Sequence, residues 1–241
     1  MDEVLLIEDH GAVRKLTMNR PDKRNALNAD LVHAMTEALL AAQRNDDVSV
    51  IVLAGAGKAF CAGADTSSPR RLSAQTRRAM VQHGDANIAL TKLLARTDKP
   101  IIAAVHGFAL GAGCGLAIGS DLVVAAESAL FGYPELKIGI PASTVTAHLV
   151  HLAGRKIAFE LLTLCENIGP QRAFELGLVN RVVPDAELIP VAMAMAQRLA
   201  GWDRDALWQT KRLFHRATAM TPEQSLEMAR DIAVMMGRFP I

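Results

Sequence analysis

The stretch "ALGAGCGLAIGSD", Ala109–Asp121, decides how this chain is read. Its apolar residues read as a buried helix, yet four of its thirteen residues are glycine. A glycine inside a helix costs about 0.5–1 kcal/mol relative to alanine. The body of the segment carries no acid or base. Either the glycines let a helix pack closely on a sheet, or they bring backbone N–H groups up to a ligand.

The sequence on either side narrows the choice. "KPIIAAVHG" before it and "VSVIVLAGAG" earlier are continuous apolar runs that end at glycine, as buried strands do. Both lead into glycine-rich turns, "LAGAGKAFCAGAD" and "VHGFALGAGCGL", followed by helical sequence. A strand, a glycine turn and a helix N-terminus together present unpaired amides that hold an anion or a developing oxyanion. "GAGCG" is not a dinucleotide fingerprint, because Leu116 stands at the third glycine position. "GAGK" is not a P-loop, because Ala59 follows Lys58.

Around this centre, "VLLIEDHGAVRKLTMNR" reads as a hairpin turning at His10-Gly11. Leu27, Leu31, Met35, Leu39 and Ala42 have helical spacing, with Asn28 as N-cap. "DLVVAAESALFGYPELKIGI" supplies two more short strands. Helical pattern then fills 143–153, 155–163, 170–176, 186–200, 203–217 and 222–236. Strands alternating with helices imply parallel βαβ units in an α/β fold. We assign 1–185 to a core and 186–241 to a helical C-terminal region of the same unit.

Composition excludes several classes. The chain has 241 residues, 51% hydrophobic, with 26 basic and 25 acidic residues and a net charge of +1. That balance argues against nucleic acid or an anionic membrane as partner. Cys61, Cys114 and Cys165 form no disulfide framework and no zinc spacing, so a reducing cytoplasm and no metal are expected. The acidic "MDEVLLIEDHG" lacks the charge pattern of a signal peptide.

Four stretches carry a resemblance: "NRPDKRNALN" (Asn19–Asn28), "KAFCAGAD" (Lys58–Asp65), Lys99–Ile140, and "RAFELGLVNRVVP" (Arg172–Pro184). In this order they resemble the crotonase superfamily, the enoyl-CoA hydratase/isomerase group. The resemblance implies a spiral of ββα units with a helical trimerisation region. It implies an acyl-CoA thioester as substrate, with no cofactor beyond the coenzyme A that the substrate carries. It also implies self-association as a trimer or a dimer of trimers. By position, the oxyanion hole consists of the amides of Ala64 and Ala112, next to Ala62, Asp65 and Gly111. Alanine at position 112 is tolerable if its φ is negative. Lys23, Arg24 and Ala26 fall in the CoA-contacting loop; a solvated turn is the plain alternative. Asp65 reads best as a helix cap. Arg70, Arg71, Arg77 and Arg78 form a basic cluster that either reaches phosphates or is solvated. Lys211 falls where some relatives contact a neighbour's CoA. His106, His148 and His151 have no motif partner and read as packing or surface.

The catalytic expectation rests on one departure. Family hydratases use two glutamates; here the first position is Gly115 and the second is Glu135, in "YPELKIG". One carboxylate suffices for a proton shift between C2 and C4 of a 3-enoyl thioester, whereas hydration is served best by two. Tyr133, beside Glu135, is a further candidate. The loop "PASTVT" lacks the aspartate of dehalogenase-like members. An isomerase-type enzyme is therefore expected, with a hydratase and a catalytically weak acyl-CoA binder as alternatives.

Overall fold

The computed structural model describes residues 3–66 and 74–237. Two strands open the chain, β1 (Leu5–His10) and β2 (Val13–Met18), paired antiparallel across a turn in which Gly11 has φ +60°. Helix α1 (Ala29–Arg44) follows, and the Asn28 side chain accepts the Leu31 amide at 3.0 Å as the expected N-cap. Next come β3 (Val50–Gly55), α2 (Ala74–Arg96), β4 (Ile101–Val105), β5 (Phe108–Leu110), α3 (Ala112–Ile118), β6 (Leu122–Ala126) and β7 (Leu130–Gly132). The remainder comprises α4 (Ser143–Leu164), α5 (Pro170–Glu175), β8 (Arg181–Val183), α6 (Leu188–Ala200), α7 (Arg204–Ala217) and α8 (Pro222–Met235). The two predicted helices around Gly154 are one helix broken at that residue, which has φ +74°.

The main sheet has the order β1-β2-β3-β4-β6-β8 and is parallel from β2 onward. A buried parallel sheet has apolar residues on both faces. Here Ile51, Leu53, Ile101, Ala103 and Val105 pack toward α1 and α3. Val50, Val52, Ile102 and Ala104 face the other way, onto Leu188, Ala192 and Ala196 of α6. The second sheet, β5 with β7, lies beyond the C-terminal ends of the parallel strands.

Two expectations change. The opening stretch is not helical throughout: Ala109 and Leu110 belong to β5, and Gly111 (φ +51°) turns the chain into α3. Strand β8 extends the sheet from a region that carries only three residues of strand sequence.

The glycines of α3 have different tasks. A methyl group on Gly113 would collide with the Cys61 carbonyl and lie 2.8 Å from Cys61 Cβ and Sγ. A methyl on Gly115 would meet only Val145 Cγ1, at an ordinary 3.7 Å. Overpacking against backbone typically costs about 1–3 kcal/mol. Gly113→Ala should therefore lower the denaturation midpoint by an amount in that range, while Gly115→Ala should leave it unchanged or raise it through helix propensity. Equal midpoints for the two variants would show that the close packing at Gly113 is not what requires glycine.

Candidate functional site

The site is assembled where two glycine turns meet. After β3 the chain passes through 56–64 and lies along β5: Cys61 N donates to Phe108 O and Leu110 N to Cys61 O, both at 2.9 Å. Gly63 has φ +92°, and a side chain on it would fall 2.7 Å from Leu110 O and 3.5 Å from Ala112 N. The turn that ends at Ala64 thus abuts the first residue of α3. Leu27 bridges Ala64, accepting from Asp65 N at 3.0 Å and donating to Gly63 O at 2.8 Å. That pattern turns the Ala64 amide away from its partner strand. The Ala112 amide lies at N1 of α3, where no intrahelical acceptor exists. Among the described residues neither amide donates to another group of the chain. Ala112 is helical with negative φ, the condition under which alanine serves there.

Glu135 opens a 3-10 turn, Glu135–Ile138, just after β7. Its carboxylate packs on the bare Cα of Gly111: a Cβ there would lie 2.7 Å from Oε1. Oε2 is buried with no hydrogen-bond partner. Burial raises the Glu135 pKa above that of an ordinary glutamate. Tyr133 is almost wholly buried; its hydroxyl lies near Cys114 and makes no well-formed hydrogen bond. Cys114 lies on the inner side of α3, and burial pushes its thiol up to about 12.

The stripe Ala112, Gly115 and Gly119 is the part of α3 left incompletely buried. Ala112 and Gly115 line a narrow cavity of about 30 Å³, room for roughly two waters, between α3, α2 and α4. Its other walls include Leu27, Leu90, Val145 and His148.

The loop carrying Lys23, Arg24 and Ala26 is pinned beside the first turn. Arg24 and Asn25 adopt left-handed φ of 49° and 55°. The fully buried Asn25 donates to Ala56 O and Ala59 O at 2.9 and 2.8 Å and accepts from Arg20 N at 2.8 Å. Lys23 and Arg24 are exposed on this anchored loop, and Ala62 N donates to Arg24 O at 2.9 Å. Asp65 bonds the Arg20 guanidinium at 3.0 Å. Asn25 was missed by sequence reading; its signal is an Arg-Asn pair in a turn, since asparagine tolerates the left-handed region. His148 was read as packing or surface, but Thr144, Val145 and His148 share the i, i+1, i+4 face that lines the cavity. Lys211 is no outward cation: it is buried and donates to Leu94 O, Lys99 O and Asp121 Oδ2 at 3.1, 3.0 and 2.7 Å. Of the basic cluster, Arg70, Arg71 and the Arg77 side chain lie outside the described residues, and Arg78 is exposed.

The sequence and fold that hold these groups match known proteins. A family model described as enoyl-CoA hydratase/isomerase matches residues 8–237. The chain belongs to the enoyl-CoA hydratase/isomerase family. It is similar to a probable mitochondrial enoyl-CoA hydratase of Dictyostelium discoideum, 35% identical over 92% of this chain and 79% of the relative. It is also similar to the 1,2-epoxyphenylacetyl-CoA isomerase of Escherichia coli K12, 33% identical over 99% of this chain and 92% of the relative. An enoyl-CoA hydratase crystal structure from Mycobacterium smegmatis superposes with a TM-score of 0.93 at 34% identity, covering 98% of this chain and 92% of that one. The mixed α/β fold of this family member is thereby that of the crotonase group. Among the described residues no helix is long and apolar enough to cross a membrane, and no cluster of three or more metal-ligating side chains occurs.

A base is active only when ionised. The raised Glu135 pKa means that any conversion in which Glu135 takes a proton falls away, as pH drops, above pH 4.5 rather than at it. The kcat/KM profile checks this, and a limb at or below 4.5 would contradict the burial. The same shift has a stability sign. The folded pKa exceeds the unfolded one, so ionising Glu135 removes stability as pH rises between the two. Glu135→Gln should accordingly melt no lower than wild type at neutral pH.

Proposed function

We propose that this enzyme catalyses an isomerase-type proton shift on an enoyl-CoA thioester. One observation supports it above the others: the position of a second carboxylate is Gly115, and no Asp or Glu lines the adjoining cavity among the described residues. In this reading the thioester oxygen accepts hydrogen bonds from the Ala64 and Ala112 amides. The Glu135 carboxylate removes a proton from C2 of a 3-enoyl thioester, and the C2 electron pair moves into a dienolate whose charge rests on that oxygen. The protonated Glu135 then returns the same proton to C4, leaving the double bond between C2 and C3. No water and no cofactor are consumed; coenzyme A is part of the substrate. General base catalysis contributes about 10²–10⁴-fold and one oxyanion donor about 10²–10³-fold. These suffice for a shift that uses one carboxyl twice. Gly111 lets that carboxyl lie against the start of α3, and in this reading the exposed Lys23 and Arg24, on the loop with Ala26, pair with the CoA phosphates. Ala62 and Asp65 hold the first turn, and Tyr133 packs behind Glu135.

The test compares absorbance of the conjugated thioester on two substrates. Wild type should gain conjugation from 3-enoyl-CoA and lose little from 2-enoyl-CoA. Glu135→Gln should keep CoA binding and lose about 10²-fold or more in turnover. Gly115→Glu places a second carboxylate one helical turn from Ala112 and should raise hydration, whereas Gly115→Gln should not. Fast hydration by wild type, or equal behaviour of the Glu and Gln variants, would favour the hydratase activity that most of its relatives carry in their names.

The same reading includes closed self-association. Apolar side chains on α7 and α8 stand in solvent, with Phe214 63%, Leu226 72% and Met235 85% exposed. Such a face calls for a partner surface. Light scattering at micromolar concentration should give the mass of three or six chains, and a stable monomer would refute it.

A further inference from the structure

The two unpaired amides are backed by different structures. Ala112 starts α3, and the carbonyl of its own peptide unit, Gly111 O, accepts from Gly115 N at 3.0 Å inside that helix. Ala64 is backed instead by a chain of peptide units that ends on a charge. Its amide shares a peptide unit with Gly63 O, which accepts from Leu27 N at 2.8 Å. The Leu27 amide in turn shares a peptide unit with Ala26 O, which accepts from Nη1 of the Arg20 guanidinium. Both units are trans. In a trans unit the C=O and N–H point opposite ways, so guanidinium, Ala26–Leu27, Gly63–Ala64 and the free Ala64 N–H all donate in one direction, outward to the site.

Arg20 is not needed merely to join the two turns. Ala62 N donates to Arg24 O at 2.9 Å and Asp65 N to Leu27 O at 3.0 Å, and Asn25 reaches Ala56 O and Ala59 O. What Arg20 adds is a positive charge at the head of the chain. Its other terminal nitrogen donates to Asp65 Oδ2 at 3.0 Å, and the two side chains are only 16% and 14% exposed. Asp65 holds the guanidinium in place and offsets its charge at a distance, so its influence travels through the hydrogen bonds. In so dry a junction, chained hydrogen bonds polarise one another.

We propose that Arg20 is a positioning residue for the reaction, which polarises the Ala64 amide through these two peptide units and strengthens its bond to the thioester oxygen. The proposal rests on the oxyanion reading above. As charge grows on that oxygen, electron density shifts along Ala64 N–H, Gly63 O, Leu27 N–H and Ala26 O toward the guanidinium. No proton leaves its nitrogen. Cooperative strengthening of about 10–30% per bond, applied to a donor that contributes about 10²–10³-fold, gives on the order of 2- to 10-fold in kcat.

The probe is butanoyl-CoA, saturated and carrying carbon-13 at its thioester carbonyl, followed by infrared difference spectroscopy. Wild type should lower the carbonyl stretching frequency on binding. Arg20→Met should lose about 10–30% of that shift, and about 2- to 10-fold in kcat on 3-enoyl-CoA, while binding coenzyme A as wild type does. Arg20→Gln, also uncharged, should behave alike and decides if the methionine variant does not fold. Asp65→Asn keeps the guanidinium and removes its counter-charge, so it should keep more of the shift than Arg20→Met. A full wild-type shift in a folded Arg20→Met or Arg20→Gln would overturn the relay. So would equal losses in Asp65→Asn and Arg20→Met, coenzyme A affinity falling along with the shift, or failure of both Arg20 variants to fold, since each would make Arg20 a brace. Those outcomes leave the oxyanion reading intact. A wild type that binds butanoyl-CoA with no carbonyl shift, or does not bind it, would overturn both.

Discussion

Everything at the site depends on backbone meeting backbone without side chains between. Gly55 lies where a Cβ would be 2.5 and 2.6 Å from Phe60 O and Ala59 O, Gly107 sits against Lys58 O, Gly63 against Leu110 O, and Gly113 against Cys61. These approaches interlock the turns after β3 and β4. The amides of Ala64 and Ala112 are neighbours only because the chain can come this close. Asn25 fastens the same junction from a third side through bonds to Ala56 and Ala59. The glycines therefore lower local helix stability but permit a contact that no other residue allows.

The small sheet places the carboxylate. Gly111 N donates to Gly132 O at 2.8 Å, and Phe131 exchanges two hydrogen bonds with Ile168, so the end of β7 is fixed relative to the start of α3. Glu135 leaves that end in a tight turn and rests on Gly111. Two carboxylates in so small a space would repel, and one would stay protonated. Burial raises the Glu135 pKa, and no neighbouring carboxylate contributes. A more basic carboxylate is better matched to taking a proton from carbon near neutral pH.

The sequence was most legible where periodicity or glycine spacing acts locally. The hairpin, the Asn28 cap, the buried strands and the C-terminal helices follow from spacing and turn residues. The amides of Ala64 and Ala112 and the Glu135 carboxylate were read from motif, and the fold brings their segments close together. Strands β5 and β8 were hidden because their pairing is decided by distant partners. His148 was hidden because its meaning depends on Gly119, which lies far from it in sequence and only in the fold becomes its packing surface. Lys211 misled for the related reason that a lysine on a terminal helix is usually solvated, and nothing near it in sequence announces Asp121.

That last pairing explains why the opening stretch ends on an aspartate. Asp121 accepts from Ile101 N at 2.7 Å, Lys211 Nζ at 2.7 Å and His215 Nε2 at 2.9 Å. It thereby ties the start of β4 and the exit of α3 to helix α7. Beside it, Asp98 holds Arg212, whose guanidinium keeps that carboxyl below its ordinary pKa. A buried lysine left without its carboxylate would be strongly destabilising, on the order of 3–5 kcal/mol. The network thus fixes where α7 sits against the sheet, and its anchor lies just after α3. Burial, and after it His151 and His215, lower the His148 pKa, so the wall of the cavity beside α3 and the anchor of the C-terminal helices are electrostatic neighbours. The thirteen residues from Ala109 to Asp121 therefore join the sheet, the unpaired Ala112 amide, the cavity beside α3 and the C-terminal helices in one continuous piece of backbone.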